Sequence, residues 1–168
     1  MGAHSASSLE MIVLRPFRFR HELGLQSKHS FDTGASDVAR SRRTTPEQRV
    51  AQLRERSQDL SAEALSSELR VGLQDASNFV VEYVAKLIHK HGVRDLIPEL
   101  VTTWQRFAID GHDCDKGCRA KLAIVEALLP LDYEDPDFWL AGMRYRQQEP
   151  VWNGSIDTAA DIRGLSAF

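Results

Sequence analysis

The stretch from Asp113 to Leu129 constrains the fold more than any other: a polar turn feeds an apolar helix that Pro130 closes. Its core, Cys118-Arg119-x-x-Leu122-Ala123, recurs 38 residues earlier as Val80-Val81-x-x-Val84-Ala85. It recurs again 44 residues later as Ile162-Arg163-x-x-Ser166-Ala167. A spacing of roughly 40 to 47 residues between similar helices predicts stacked helix pairs, an α-solenoid in which each pair buries its apolar face on a neighbour.

The intervening residues fit that plan. Thr45-Pro46-Glu47 is a helix start, with Thr45 as N-cap, Pro46 in the first helical position and Gln48 as the returning partner of a capping box. Val50, Leu53 and Leu60 mark a lead-in helix. Ser61 caps a second, with Ala64, Leu65, Leu69, Val71 and Leu73 expected on its buried side. A third, over about 78–91, shows Phe79, Val80, Val84, Leu87 and Ile88 on one side and Gly92 as its stop. The fourth runs from Asp95 through Trp104 and Phe107, with Pro98 tolerated near its first turn. Asp110-Gly111-His112-Asp113 is expected to break the chain before the organising helix. Beyond Pro130, a helix through Phe138, Trp139, Leu140, Met143 and Tyr145 precedes a loop over 149–154. Asp157 or Thr158 is expected to cap a last helix through Ala160, Ile162 and Leu165. The pairs therefore fall at about 61–91, 94–130 and 136–168.

Residues 1–44 read differently. Seven serines mix with seven basic residues over the first 43 positions, without sustained helical periodicity. The run Met11-Ile12-Val13-Leu14 is too short for a secretory signal core, and Glu10, Glu22, Asp32 and Asp37 spoil the acid-poor pattern of an organelle address. A flexible or irregular extension is expected there, and an independently folded helical region over 45–168.

Charge separates the same two parts. Residues 1–56 carry ten Lys or Arg against six Asp or Glu, and residues 57–168 carry eleven against eighteen. An acidic body argues against a phosphate backbone as its ligand, so no nucleic-acid partner is expected. Apolar runs are interrupted well short of the ~18 residues a membrane span needs, so no membrane partner is expected. The two cysteines, Cys114 and Cys118, are too few for a disulfide scaffold, so a reduced, cytoplasmic protein is expected.

Common enzyme motifs are missing: the sequence holds no Gly-rich phosphate loop, nucleophile elbow or His-Glu-x-x-His helix. His112, Asp113, Cys114, Asp115 and Cys118 crowd one loop, but structural zinc takes four ligands from paired clusters, and no second pair follows. No metal, cofactor or catalytic residue is expected, and Cys118 reads as a small core residue. His89 and His91 flank Lys90 at a helix end, where cations meet the dipole favourably.

With Ile97-Pro98-Glu99-Leu100 in a first helix, Asp113 in the turn and Arg119 in the second helix, the region from Thr45 onward resembles HEAT repeats, as found in bacterial HEAT-repeat proteins without an assigned function. The resemblance implies an all-α, right-handed superhelix of about six to seven helices, with Arg119 and Arg163 reaching a turn aspartate in an adjacent layer. Val81 stands where the first unit would carry that arginine. It further implies a non-enzymatic scaffold or adaptor whose second helices present a surface to a protein partner, with Glu82, Lys86 and Lys121 on it. HEAT-like DNA glycosylases and bilin lyases supply the alternative, a solenoid enzyme.

Trp152, between Pro150 and Asn153 in a loop, is a further candidate contact. The last helix offers Ile162, Leu165 and Phe168 where a terminal repeat should be polar, so self-association through that end, or continuation into further repeats, is expected.

Overall fold

A computed structural model describes residues 44–167. The expectations placed on the first 43 residues and on Phe168 lie outside the described residues.

The fold is all-α with one added hairpin. Helices run α1 Pro46–Arg56, α2 Ala62–Leu73, α3 Asn78–His91, α4 Ile97–Ile109, α5 Gly111–Cys114, α6 Arg119–Leu128, α7 Pro136–Arg144 and α8 Ala160–Leu165. Single 3-10 turns at Arg94–Leu96 and Lys116–Cys118 lead into α4 and α6.

Local signals set most helix ends. The Thr45 hydroxyl accepts from the Gln48 N–H at 3.3 Å, and the Gln48 side-chain oxygen accepts from the Thr45 N–H at 2.9 Å, completing the capping box. Ser61 caps α2 through the Ala64 N–H, and Asp135 caps α7 through the N–H groups of Asp137 and Phe138. Gly92 ends α3 in the left-handed region at φ 63°, which a Cβ would disfavour.

The helices pair as α2 with α3, α4 with α6, and α7 with α8. The second helices lie in a row, α3 against α6 and α6 against α8, while α2 meets α4 and α1 rests on α3. Val80, Val81, Val84, Ile88, Ile124, Leu128 and Ile162 fill the seam between them. Trp104 of α4 closes it, with its ring edge-on to Phe138 at 5.2 Å and to Tyr145 at 5.6 Å.

Arginines tie the units together. Arg106 of α4 donates to the carbonyls of Leu73, Gln74 and Asp75, satisfying acceptors that the end of α2 leaves open. Arg70 of α2 meets Glu99 of α4 at 2.6 Å, and Arg49 of α1 meets Asp75 at 2.8 Å.

Several local expectations change. Val71 and Phe79, assigned to buried helix faces, are 64% and 48% exposed, because each borders an open cleft beside α1 instead of a packed seam. The expected break at 110–113 contains the single turn α5. The loop over 149–154 is an antiparallel hairpin, β1 Gln148–Val151 and β2 Gly154–Asp157, turned by Trp152 and Asn153. Asp157 accepts the Ala159 N–H at 3.0 Å, one residue before α8, while the Thr158 hydroxyl is drawn to Glu149 instead.

Gly72 marks the closest approach of α2 to α3: a Cβ there would stand 2.6 Å from Val84 Cγ2, which is buried on a stiff β-branched side chain. Gly72→Val is expected to cost roughly 1 to 3 kcal/mol by overpacking. The exposed neighbour change Val71→Asp should stay within about 0.5 kcal/mol. Paired denaturant titrations check both; equal midpoints for the two variants would contradict this packing.

Candidate functional site

Two places concentrate polar and aromatic chemistry. The first is buried, where the turn between α4 and α6 meets the hairpin. Asp115 and Lys121 are both fully buried, with Lys121 Nζ 2.9 Å from Asp115 Oδ2 and 3.2 Å from the Phe107 carbonyl. Asp115 also accepts the N–H groups of Ala120 and Lys121 at 3.0 and 3.1 Å. These are open donors of the first turn of α6, so Asp115 caps that helix from three residues ahead of its N-cap position. Its other link, from Asn78 Nδ2 at 3.2 Å, reaches the start of α3 in the adjacent pair.

The hairpin closes over this pair. Gln147 donates to the Asp115 carbonyl at 2.9 Å and to Glu149 Oε1 at 2.6 Å, and Tyr145 donates to Gln147 Oε1 at 2.8 Å. Glu149 Oε1 accepts further from the Gly117 N–H at 2.6 Å and the Thr158 hydroxyl at 3.0 Å. Burial pushes the Glu149 carboxyl upward, but these hydrogen bonds outweigh it and hold the group below the usual carboxylate range. Burial, with carboxylates and thiols nearby, pushes the Tyr145 hydroxyl well above its ordinary value. Gly111 is required beneath them, because a Cβ there would overlap the Tyr145 hydroxyl and Gln147 Oε1.

Cys118 sits at the start of α6 in a left-handed conformation, φ 54°, with its sulfur 3.4 Å from the Thr158 hydroxyl. Burial raises its thiol above the normal range, so it stays protonated and packs as a core residue. Among the described residues no three His, Cys, Asp or Glu side chains converge as metal ligands would. The enclosed groups are engaged with one another, and their chemistry is that of a structural clamp.

The second place is open. A groove of about 340 Å³ runs between α1 and α3 and is closed at one end by Arg119 of α6. Phe79 and Tyr83 supply its aromatic wall, and Val50 and Ala51 face them. Arg119 lies 4.7 Å from the Phe79 ring centre and Arg54 lies 5.7 Å from that of Tyr83, both within cation–π range. Glu82 links α3 to α6, its oxygens 2.6 Å from Lys86 Nζ on its own helix and 2.7 Å from Arg119 Nε.

The structure sorts the residues singled out from sequence. Glu82 and Lys86 stand together in the groove. Lys121 does not belong on the outer surface: α6 is enclosed on nearly all sides, and its ammonium is consumed by Asp115. Trp152 is 99% exposed at the hairpin tip, away from the groove lining. Ile162, expected at an open end, is fully buried in the seam. Leu165 is partly buried, and the exposed apolar side chains at that end are Leu140 and Met143 of α7. Arg119 pairs with Glu82 rather than a turn aspartate, and Asp113 is instead exposed beside His112. Arg163 meets Asp157 at 2.8 Å within its own unit. His89 adds a contact beyond its helix end, its Nδ1 lying 2.9 Å from the Glu126 carbonyl.

Sequence reasoning weighed Asp115 only as a metal ligand, placed Phe79 on a buried face and Glu149 in a loop, and passed over Gln147 and Arg54. A signal existed for the first: Lys121 interrupts a helix whose apolar residues spread round its circumference, which leaves the lysine no solvent side and demands a buried acid.

Asp115→Ala is expected to cost roughly 3 to 5 kcal/mol, since it strands a buried ammonium and uncaps α6. Adding Lys121→Met should recover part of that loss. If urea titrations showed no recovery, the pair would not be the source of the penalty. For Glu149, a folded pKa below the unfolded one means stability that is present above the ordinary carboxylate range and is lost as pH falls through the folded value. Glu149→Gln should therefore be less stable than the parent by about 1 to 2 kcal/mol at neutral pH. The difference should shrink below about pH 4, as thermal melts across an acid series would read.

Compared with known proteins, the chain matches no family model, no curated protein and no solved structure.

Proposed function

We propose that the chain is a non-enzymatic scaffold or adaptor, a short solenoid of HEAT-like helical hairpins that holds another protein in the groove between α1 and α3. The pairing of helices and the row formed by α3, α6 and α8 support the stacked-hairpin reading. The observation that carries the binding reading is Phe79. A large aromatic ring stands 48% exposed in a concave, aromatic-lined groove, flanked by an arginine on its face. Exposed aromatics beside arginine are the side chains that most often anchor protein interfaces.

The self-association expected at the C-terminal end moves, in this reading, to α7. Leu140 and Met143 are exposed there at 42% and 43%, beside Trp139.

A photo-crosslinking amino acid placed at position 79 of the full chain, expressed in its native cell, is expected to capture one predominant protein. The same group at Ile109, an exposed residue on α4 outside the groove, should not capture it. Equal capture at both positions, or none at position 79, would remove the groove from the function.

A further inference from the structure

The lining of the groove has a period of its own. Glu47, Val50, Ala51 and Arg54 of α1 fall at i, i+3, i+4 and i+7, and so do Phe79, Glu82, Tyr83 and Lys86 of α3. Each wall is therefore one face of a helix about two turns long, roughly 10 Å. The helices run the same way: Arg49 reaches Asp75 just before α3, and Arg54, further along α1, lies over Tyr83, further along α3. Two parallel stripes of this kind form the trough into which a third helix packs its own ridge.

Charge along the trough is uneven. Glu82 is occupied by Lys86 and Arg119. Arg54 has no carboxylate within 4 Å among the described residues and stands with Lys86 at the C-terminal end of both stripes. The groove thus carries three cations against two acids, whereas the chain from residue 57 onward carries eleven basic against eighteen acidic residues. Local positive charge on an acidic body selects an acidic partner and disfavours a basic one.

We infer that the occupant is an amphipathic α-helix of a protein partner, with apolar side chains at i, i+3 or i+4 and i+7 on Phe79 and Tyr83, and an Asp or Glu answering Arg54 beside Lys86. This rests on the groove reading above and adds the chemistry of what fills it. An extended segment would present side chains at a period of two and leave one of the two stripes unmatched.

The test is selection of displayed random peptides of about 16 residues, roughly four helical turns, against the full chain, followed by affinity measurement on Phe79→Ser and Arg54→Glu. Both side chains are exposed enough to change without unfolding the protein, which melting curves verify. The expected peptides are helical when bound and share an apolar stripe flanked by an acid. Their binding should be lost on Phe79→Ser, weaken by about tenfold or more on Arg54→Glu, and weaken as salt is raised. Peptides lost on Phe79→Ser but lacking the acid, or indifferent to Arg54→Glu, would overturn the acidic-helix inference while leaving the groove as a binding site. Binding indifferent to Phe79→Ser, or no selected peptide at all, would overturn both. A dimer of the chain itself that Phe79→Ser dissolves would assign the groove to a second copy and also overturn the inference.

Discussion

Asp115 holds four hydrogen bonds on two buried carboxylate oxygens, from Asn78, from the backbone of Ala120 and Lys121, and from the Lys121 ammonium. Each bond answers a different need. Two cap α6, one neutralises a lysine that the packing encloses, and one reaches the next helix pair. An ion pair this deep brings little net stability over an apolar replacement, because desolvating both charges offsets most of their attraction. Its stronger effect is on specificity. With either partner misplaced, a charge is stranded in the core, so the turn between α4 and α6 accepts one arrangement.

That fixed turn also positions the hairpin. Gln147 and Glu149 bind the backbone of Asp115 and Gly117, and so β1 is anchored at its start while its tip, with Trp152, projects free. The backbone at Gly117 and Cys118 bends through two successive left-handed residues, φ 71° and 54°, where these backbone groups meet the hairpin. For Cys118, which bears a side chain, this conformation costs of the order of 1 kcal/mol or more, and the surrounding hydrogen bonds hold it.

The groove depends on the same helix from its other side. α6 begins where Asp115 caps it, and its first residue, Arg119, is thereby set against Glu82 and the face of Phe79. A structural clamp in the interior thus determines the geometry of a surface feature, since a shift of α6 would open the Arg119–Glu82 contact and one end of the groove.

Much of this architecture was legible in the chain itself. Thr45, Ser61 and Gly92 mark helix ends through interactions within a few residues, and the apolar spacing along α3, α4 and α6 identifies helices, because both signals are local. The repeat spacing likewise points to paired helices. What the chain could not disclose depends on residues far apart in sequence. Lys121 reads as a surface lysine until α4 and the hairpin close around it, and Ile162 reads as an open end until α6 and α7 cover it. Phe79 reads as core because its spacing is that of a buried stripe; only the placement of α1 along α3 leaves it at the lip of a groove. The short strands β1 and β2 include a proline and a glycine, Pro150 and Gly154, with little alternation to announce them, and the hairpin is held by Asp115 and Gly117 more than 30 residues away. Local spacing determined which segments are helical, and tertiary packing decided which polar and aromatic side chains are enclosed and which are left facing water.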